Sequence, residues 1–288
     1  MDSSATLADF VRWGQAELPA HHYYLAIANH GQAVRGIAWD TTSDQTDSTV
    51  QDSAYLTIKE LAAALNQPDL APIDVLHLDA CSMNLLESAF ELRDSADILI
   101  ASQYLGWNYF DYSGYLSTMS DNAATASPSP AAFAAKIVDR YAANAHLRGH
   151  PYTIAALNLA RVEPTVNALN TVAEELTLWM TADPSAQTII AAAWNASGKF
   201  ESNADFINDS QDAYIDLLDW SKQLQAVAVP ATVDAALTKL IAELSSTEFM
   251  VLATSAQSGR MLPQYANGAF IDLTYAGGLS IFYPGARN

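Results

Sequence analysis

Apolar and polar positions follow one another along this chain in a pattern that predicts strands separated by helices. Apolar runs of strand length occur at 23–28, 73–78, 98–102 and 152–159. Between and around them, apolar residues at helical spacing predict helices at 6–18, 55–65, 85–92 and 130–147. Strands that alternate with helices are typical of a mostly parallel sheet covered on both faces. The pattern therefore predicts an α/β fold.

The second half of the chain is dominated by helical patterns. We expect helices at 164–180, 186–195, 211–227 and 232–244, followed by closing strands at 248–253 and 278–283. We interpret 163–245 as a helical layer or subdomain within one domain that spans 1–288. The polar stretch at 32–53 is typical of a long surface loop.

Composition narrows the class of protein. At 288 residues and 50% hydrophobic, the chain can bury the core of one large domain. It has no apolar run of the roughly 18 residues that a membrane span needs, and its start lacks the basic and apolar regions of a signal peptide. Its net charge of −19 argues against nucleic acid and anionic membranes as partners. That charge either attracts basic substrates or simply makes an acidic surface.

The only cysteine, Cys81, lies just after the apolar run at 73–78 and the acidic Asp79. One cysteine excludes internal disulfides and a cysteine zinc cluster. The thiol is therefore either a small buried hydrophobe or a nucleophile. Open parallel sheets place their sites beyond the carboxyl ends of the strands, which is where Cys81 is expected.

A partner for the thiol follows the preceding strand, where His30 and Gly31 end the run at 23–28. Carboxyl ends of parallel strands share one edge of a sheet, so His30 can approach Cys81 and take its proton. His77 is excluded as the base, because four residues of strand place it roughly 13 Å away, and we expect a core histidine there. The backbone N–H groups of Gly31 and Cys81 are candidates for an oxyanion hole. A helix beginning near Ser82 would point its positive end at the sulfur.

Asp79 is two residues before Cys81, so the two side chains are expected on one face of the strand. A carboxylate about 7 Å from the sulfur could bind a basic side chain next to the scissile bond. The alternative is an aspartate that accepts hydrogen bonds from nearby backbone amides. The residues alone leave the two open.

With these motifs, the sequence resembles the clostripain-like cysteine peptidases, which have a caspase-type fold. The likeness covers most of the chain and includes 36–43, 79–83, the helix with Glu87 and Phe90, the strand at 96–103, 214–220 and 278–284. The resemblance implies a three-layer sandwich with a mostly parallel sheet and added C-terminal helices. It also implies a secreted or cell-surface cysteine endopeptidase that cleaves after arginine or lysine, with His30 and Cys81 as the dyad and Asp79 in the specificity pocket.

No cofactor is expected from the resemblance, although calcium is reported for some relatives. The acidic series in the loop could hold calcium through carboxylates, or it is only a solvated loop; it consists of Asp40, Asp44, Asp47 and Asp52.

The sequence departs from the family pattern in three places. It begins with a helix where relatives usually have an earlier strand. The loop at 36–55 contains no Lys or Arg, so maturation by cleavage after a basic residue is not expected there. Gln103 stands where relatives tend to have glutamate, which leaves Asp111 as a stand-in for a second acidic pocket residue. Trp107, in the aromatic stretch 104–115, either forms a wall of the cleft or packs a loop onto the sheet.

These departures keep a second class of function open. A member of the fold could have become a binding or scaffold protein without catalysis. Cleavage of a panel of peptides would distinguish the two classes, because a binding protein would turn over none of them.

Overall fold

The computed structural model describes residues 3–39, 55–109, 111–120, 128–202, 206–209, 212–245, 247 and 250–284. Its helices are α1 Ser4–Glu17, α2 Ile58–Leu65, α3 Leu86–Leu92, α4 Tyr112–Ser120, α5 Pro130–His146, α6 Val162–Ala182, α7 Ala186–Ala196, α8 Leu217–Gln225 and α9 Ala231–Ser245. Its strands are β1 Tyr24–Ala28, β2 Ile73–Asp79, β3 Ala96–Ala101, β4 Tyr152–Asn158, β5 Lys199–Phe200, β6 Tyr214–Asp216, β7 Val251–Gln257, β8 Gly259–Arg260, β9 Phe270–Ile271 and β10 Ser280–Phe282.

The central sheet has five strands in the order β1-β2-β3-β4-β7. β1, β2 and β3 pair in parallel, and β4 is antiparallel to both of its neighbours. Four of the five strands therefore run in one direction. The predicted α/β fold with a mostly parallel sheet is confirmed.

Both faces of the sheet are buried. Successive side chains of a strand point to opposite faces, and those of β2 enter two different apolar clusters. Leu76 and Leu78 of β2 join a large apolar cluster with α1, α2, α3 and α6. Val75 of the same strand joins a second cluster with α5 and β4. The sheet is thus the middle of three layers, in agreement with the caspase-type fold that the resemblance implies.

A small second sheet, in the order β10-β6-β5, lies beside the central one. The expected helix at 211–227 is wrong in its first part, because Ile215 is fully buried and pairs with both β5 and β10. The helix α8 begins only after Asp216, whose side chain accepts a hydrogen bond from the Asp219 N–H as a cap. Helices α6, α8 and α9 share the large apolar cluster.

The helix after Cys81 matches the expected 85–92 to within one residue, but it does not begin near Ser82. It starts at Leu86 and uses neither Ser82 nor Asn84 as a cap. Both residues are instead bound to neighbouring segments: the Ser82 N–H donates to Tyr104 O, and the Asn84 N–H to Ser102 O. The expectation that a helix dipole acts on the sulfur is therefore wrong. None of the described helices is long and apolar enough to cross a membrane.

Candidate active site

The carboxyl ends of β1 and β2 bring the predicted histidine and cysteine segments together. Ala28 is paired with Asp79, and the Asn29 N–H donates to Asp79 O at 3.3 Å. Beyond the strand, Gly31 lies so close to the cysteine segment that a Cβ added to it would be 2.6 Å from Cys81 O. The His30–Gly31 pair and Cys81 are therefore neighbours, as the sequence predicted.

The chain turns sharply at the thiol. The Ala80 N–H donates to Leu78 O at 2.9 Å, and Ser82 has a φ of 56°, in the left-handed region. For a residue with a side chain this conformation costs roughly 1–2 kcal/mol. The 2.8 Å hydrogen bond from the Ser82 N–H to Tyr104 O holds it in place. The turn ends β2 and leaves the Cys81 side chain half-buried rather than packed within the core.

Gly106 contacts the sulfur directly. Its N–H donates to Cys81 Sγ at 3.4 Å. The absent side chain permits this approach, because a Cβ on Gly106 would be 3.0 Å from the carbonyl carbon of Ala80. Burial raises the pKa of the Cys81 thiol, the hydrogen bonding with Gly106 lowers it, and the charges of Glu201 and Asp79 raise it. The balance is a raised pKa, so the resting thiol is protonated at neutral pH.

The His30 side chain is exposed, and among the described residues no hydrogen bond joins its imidazole to Sγ. Its backbone is fixed, since the Ala38 N–H donates to His30 O at 3.1 Å. The Gly31 N–H donates to no other group in the part of the chain that the structure describes. Its place in an oxyanion hole stays a prediction.

Asp79 lies half-buried at the end of β2, where the Tyr112 hydroxyl donates a hydrogen bond to Oδ2. Burial raises the pKa of Asp79 to about 6, and the hydrogen bond from Tyr112 opposes that shift. His77 is fully buried, and the Tyr24 hydroxyl lies 2.7 Å from its Nδ1. Burial lowers the pKa of His77 to about 3, so it is the neutral core histidine that the sequence predicted.

Asp111 is bound to its own helix and to α5. One oxygen accepts from the Gly114 N–H at 2.9 Å, and the other is 3.2 Å from Arg140 Nη1. This placement gives Asp111 a role in fixing the start of α4. Its contact with a substrate stays a prediction.

Trp107 follows Gly106 and is half-buried. Its indole N–H donates to Pro151 O at 2.6 Å, and its ring stacks on His150 with 5.0 Å between centroids. These contacts pack the aromatic stretch onto the segment just before β4. Packing of a loop onto the sheet is one of the two alternatives for Trp107. The other, a wall of the substrate cleft, stays a prediction beside it.

A buried polar network positions the segments that surround Cys81. Asp216 is fully buried and accepts from Gln103 Nε2 at 2.9 Å and from the Gly277 N–H at 2.6 Å. Gln103 Oε1 in turn accepts from the Gly278 N–H at 2.8 Å. Gln103 therefore joins the end of β3 to the C-terminal segment. It needs both a donor, for Asp216, and an acceptor, for the Gly278 N–H, and an ionised glutamate could only accept.

Three residues around Cys81 and Asp79 carry no role in the sequence-based prediction: Gly106, Tyr112 and Glu201. The glycine in the aromatic stretch was a usable signal for Gly106, since a close backbone approach requires it. Tyr112 was one of several tyrosines in that stretch, with nothing to distinguish it. Glu201 is more than a hundred residues from Cys81, and no sequence pattern connects them.

Within the described residues, no group of three or more His, Cys, Asp or Glu side chains could hold a metal ion. The acidic series proposed for calcium, at 40–52, lies outside the described residues. Its role stays a prediction.

Comparisons with known proteins bear on the family and the fold. The model of the clostripain family, Peptidase C11, matches residues 1–277. An inactive zymogen C11 protease from Parabacteroides distasonis is similar in structure, with a TM-score of 0.65 and 19% identity over 99% of this chain and 70% of that one. A secreted C11 cysteine protease from Bacteroides thetaiotaomicron, in complex with an irreversible peptide inhibitor, has a TM-score of 0.62 and 14% identity over 100% and 73% of the two chains.

A cysteine protease from B. fragilis is also similar, with a TM-score of 0.51 and 17% identity over 82% of this chain and 87% of that one. The search of curated protein sequences found no match. The solved structures support the fold, and the family match covers nearly the whole chain. The protein therefore belongs to the clostripain family and is a cysteine peptidase that acts on peptide or protein substrates.

Proposed function

We propose that the protein is a cysteine endopeptidase in which Cys81 is the nucleophile, His30 is the general acid and base, and Asp79 binds an arginine or lysine side chain before the scissile bond. The observation that carries this proposal is the close packing of Gly31 against Cys81 at the carboxyl edge of the sheet. This packing supports the pairing of His30 with the only thiol of the chain.

The reaction begins with proton transfer from the thiol to His30, because a thiol with a raised pKa is protonated at rest. The thiolate attacks the peptide carbonyl carbon, and the electron pair of the C=O bond moves onto the oxygen. The N–H groups of Gly31 and Cys81 stabilise that oxyanion. The C–N bond then breaks, and His30 gives its proton to the leaving amine. Water, deprotonated by His30, releases the acyl group and restores the thiol.

The charge of the site supports a basic side chain in the substrate. Asp79 faces the α4 side of the sheet, and Glu201 is near enough to raise the pKa of the Cys81 thiol. An ionised Asp79 can form a charge-assisted hydrogen bond with lysine or arginine.

A covalent trap tests the nucleophile. A peptidyl chloromethyl ketone ending in arginine should add once to the wild-type protein, and mass spectrometry should place it on Cys81. Cys81→Ala should not be labelled, and His30→Ala should be labelled slowly. Equal labelling of the wild type and Cys81→Ala would contradict the assignment. Iodoacetamide labelling of the unfolded protein controls for an intact thiol, since the chain has only one.

A peptide panel tests the specificity. Peptides with Arg, Lys, Asn or Asp before the scissile bond differ only in the side chain that Asp79 would bind. Cleavage after Arg or Lys that falls about 10- to 100-fold in Asp79→Asn would support the proposal, because a hydrogen bond to a charged group contributes about 1.5–3 kcal/mol. A preference for Asn or Asp would retain the peptidase and reject Asp79 as a site for basic side chains. No turnover on any peptide would support the binding or scaffold alternative.

A further inference from the structure

The two oxygens of Asp79 have different surroundings. Oδ2 accepts the hydrogen bond from the Tyr112 hydroxyl. Oδ1 accepts no hydrogen bond from the described residues. A substrate that approaches Asp79 therefore meets one oxygen that already accepts from Tyr112 and one that accepts from none of the described residues.

The position of the Tyr112 hydroxyl is fixed by its neighbours. Tyr112 is the first residue of α4, and Asp111 before it is held by Arg140 of α5 and by the Gly114 N–H. A side chain at position 114 would break this arrangement, because an added Cβ would be 2.0 Å from Asp111 Oδ2. The Tyr112 ring also meets the Tyr115 ring edge-on, with 5.9 Å between centroids. The hydroxyl is thus directed at Asp79 by a helix start that these contacts hold.

The two basic side chains use a carboxylate differently. The guanidinium of arginine is a planar fork that pairs with both oxygens at once. The ammonium of lysine is a compact charge that one oxygen can bind. We propose that Tyr112 is a positioning residue: its hydrogen bond takes up one acceptor site of Asp79 Oδ2, weakens that oxygen as a partner for the second arm of a guanidinium, and so makes the pocket favour lysine over arginine before the scissile bond. This inference rests on the proposed role of Asp79 in binding the substrate.

Tyr112 is also the group that stabilises the ionised form of Asp79. The titratable groups around the carboxylate come from each element packed on it: Tyr24 of β1, His77 of β2, Cys81, Tyr112 and Tyr115 of α4, and Tyr141 of α5. None of these described groups is a permanent cation, and His77 is held neutral by burial. Loss of the Tyr112 hydroxyl should therefore raise the pH at which Asp79 becomes charged.

Tyr112→Phe tests both consequences with two peptides that differ only in lysine or arginine before the cleaved bond. The ratio of kcat/KM for arginine to that for lysine should rise about three- to tenfold. Oδ2 loses the hydrogen bond from Tyr112 and can accept a second hydrogen bond from the guanidinium instead. The acidic limb of the kcat/KM profile should move to higher pH for both peptides. A residue with only a structural role would change neither the ratio nor the position of that limb.

Tyr23→Phe is the matched control. It removes a hydroxyl that accepts from the Ala20 N–H just before β1, at the edge of the sheet opposite Asp79, and it leaves the Tyr112 hydrogen bond to Asp79 in place. Its ratio and pH profile should stay at the wild-type values. Tyr112→Leu is the second variant, measured if Tyr112→Phe unfolds at a lower temperature than the control, and its ratio should move in the same direction.

A ratio in Tyr112→Phe that stays within twofold of the wild type, or that moves towards lysine, would overturn the inference. This failure is distinct from failure of the proposed function. If Asp79 does not bind basic side chains, Asp79→Asn retains wild-type cleavage after lysine and arginine, whereas the failure of the inference leaves the effect of Asp79→Asn intact.

Discussion

Gly31→Ala is the sharpest test of how the site is assembled. An added Cβ would be 2.6 Å from Cys81 O, 2.7 Å from Met83 Sδ and 2.9 Å from the Cβ of Ala80. Non-bonded heavy atoms are most stable at about 3.5–4.0 Å, so the two segments must separate by roughly 1 Å. The Met83 side chain can move, but the carbonyl of Cys81 and the Cβ of Ala80 move only with their backbone.

The loss of activity should exceed the loss of stability. A displacement of about 1 Å in a catalytic group can cost about 100-fold in rate, and we expect that loss in kcat/KM. Overpacking of this kind typically costs about 1–3 kcal/mol in the free energy of unfolding. The φ of Gly31 lies outside the left-handed region, so steric contact and not backbone strain is the cause.

The assay compares peptide cleavage and urea unfolding with those of Gly14→Ala. Gly14 lies within α1, and nothing is within 4 Å of its added Cβ. That control should keep full activity and gain about 0.5–1 kcal/mol of stability from the better helix former. If Gly31→Ala stays within threefold of the wild-type kcat/KM, the packing of Gly31 against Cys81 does not position the dyad, and the reasoning is refuted.

Three further predictions follow from the site and its supporting network. Gly106→Ala should weaken the hydrogen bond from the residue 106 N–H to Cys81 Sγ. Because a hydrogen bond contributes about 1 kcal/mol, alkylation of Cys81 by iodoacetamide at mildly alkaline pH should become about threefold slower. An unchanged alkylation rate would contradict this. Cleavage after lysine should decline as the pH falls through about 6, because Asp79 is neutral below its raised pKa and cannot pair with an ammonium group; a wild-type profile that matches Asp79→Asn would exclude this cause. Burial raises the pKa of Asp216 from 3.8 to about 6. The folded state therefore binds the Asp216 proton more tightly than the unfolded state does. Up to about 3 kcal/mol of the free energy of unfolding should be lost as the pH rises between these two pKa values. Urea unfolding should show a smaller decline with pH in Asp216→Asn.

The main elements could be predicted because each carries its own local signal. The run at 73–78 is apolar at every buried position except His77, and 130–146 has helical spacing behind a Ser-Pro start. The strand at Tyr214–Asp216 was missed for the opposite reason. It is three residues long, and its apolar residue fits a helical pattern equally well until the partners β5 and β10 are known.

The candidate site divides in a similar way. His30 and Cys81 were predicted together because parallel strands end at one edge of a sheet, which is a rule of topology. The turn at Ser82 was not, because its positive φ is imposed by the hydrogen bond to Tyr104, and a serine there reads as a helix cap. Tyr112 and Gly106 come from a stretch whose path depends on packing against β4 and α5.

The sequence alone determined the order of the main strands and helices, the location of the thiol at a strand end, the histidine that follows the neighbouring strand, and the family. Each of these depends on local periodicity or on residues close together in the chain. Only the tertiary structure decided which side chains contact Asp79, which N–H reaches the sulfur, and how Asp216 joins the loops around Cys81. These contacts connect segments 25 to 113 residues apart. Their partners are selected by burial and hydrogen-bond geometry, which no local pattern encodes.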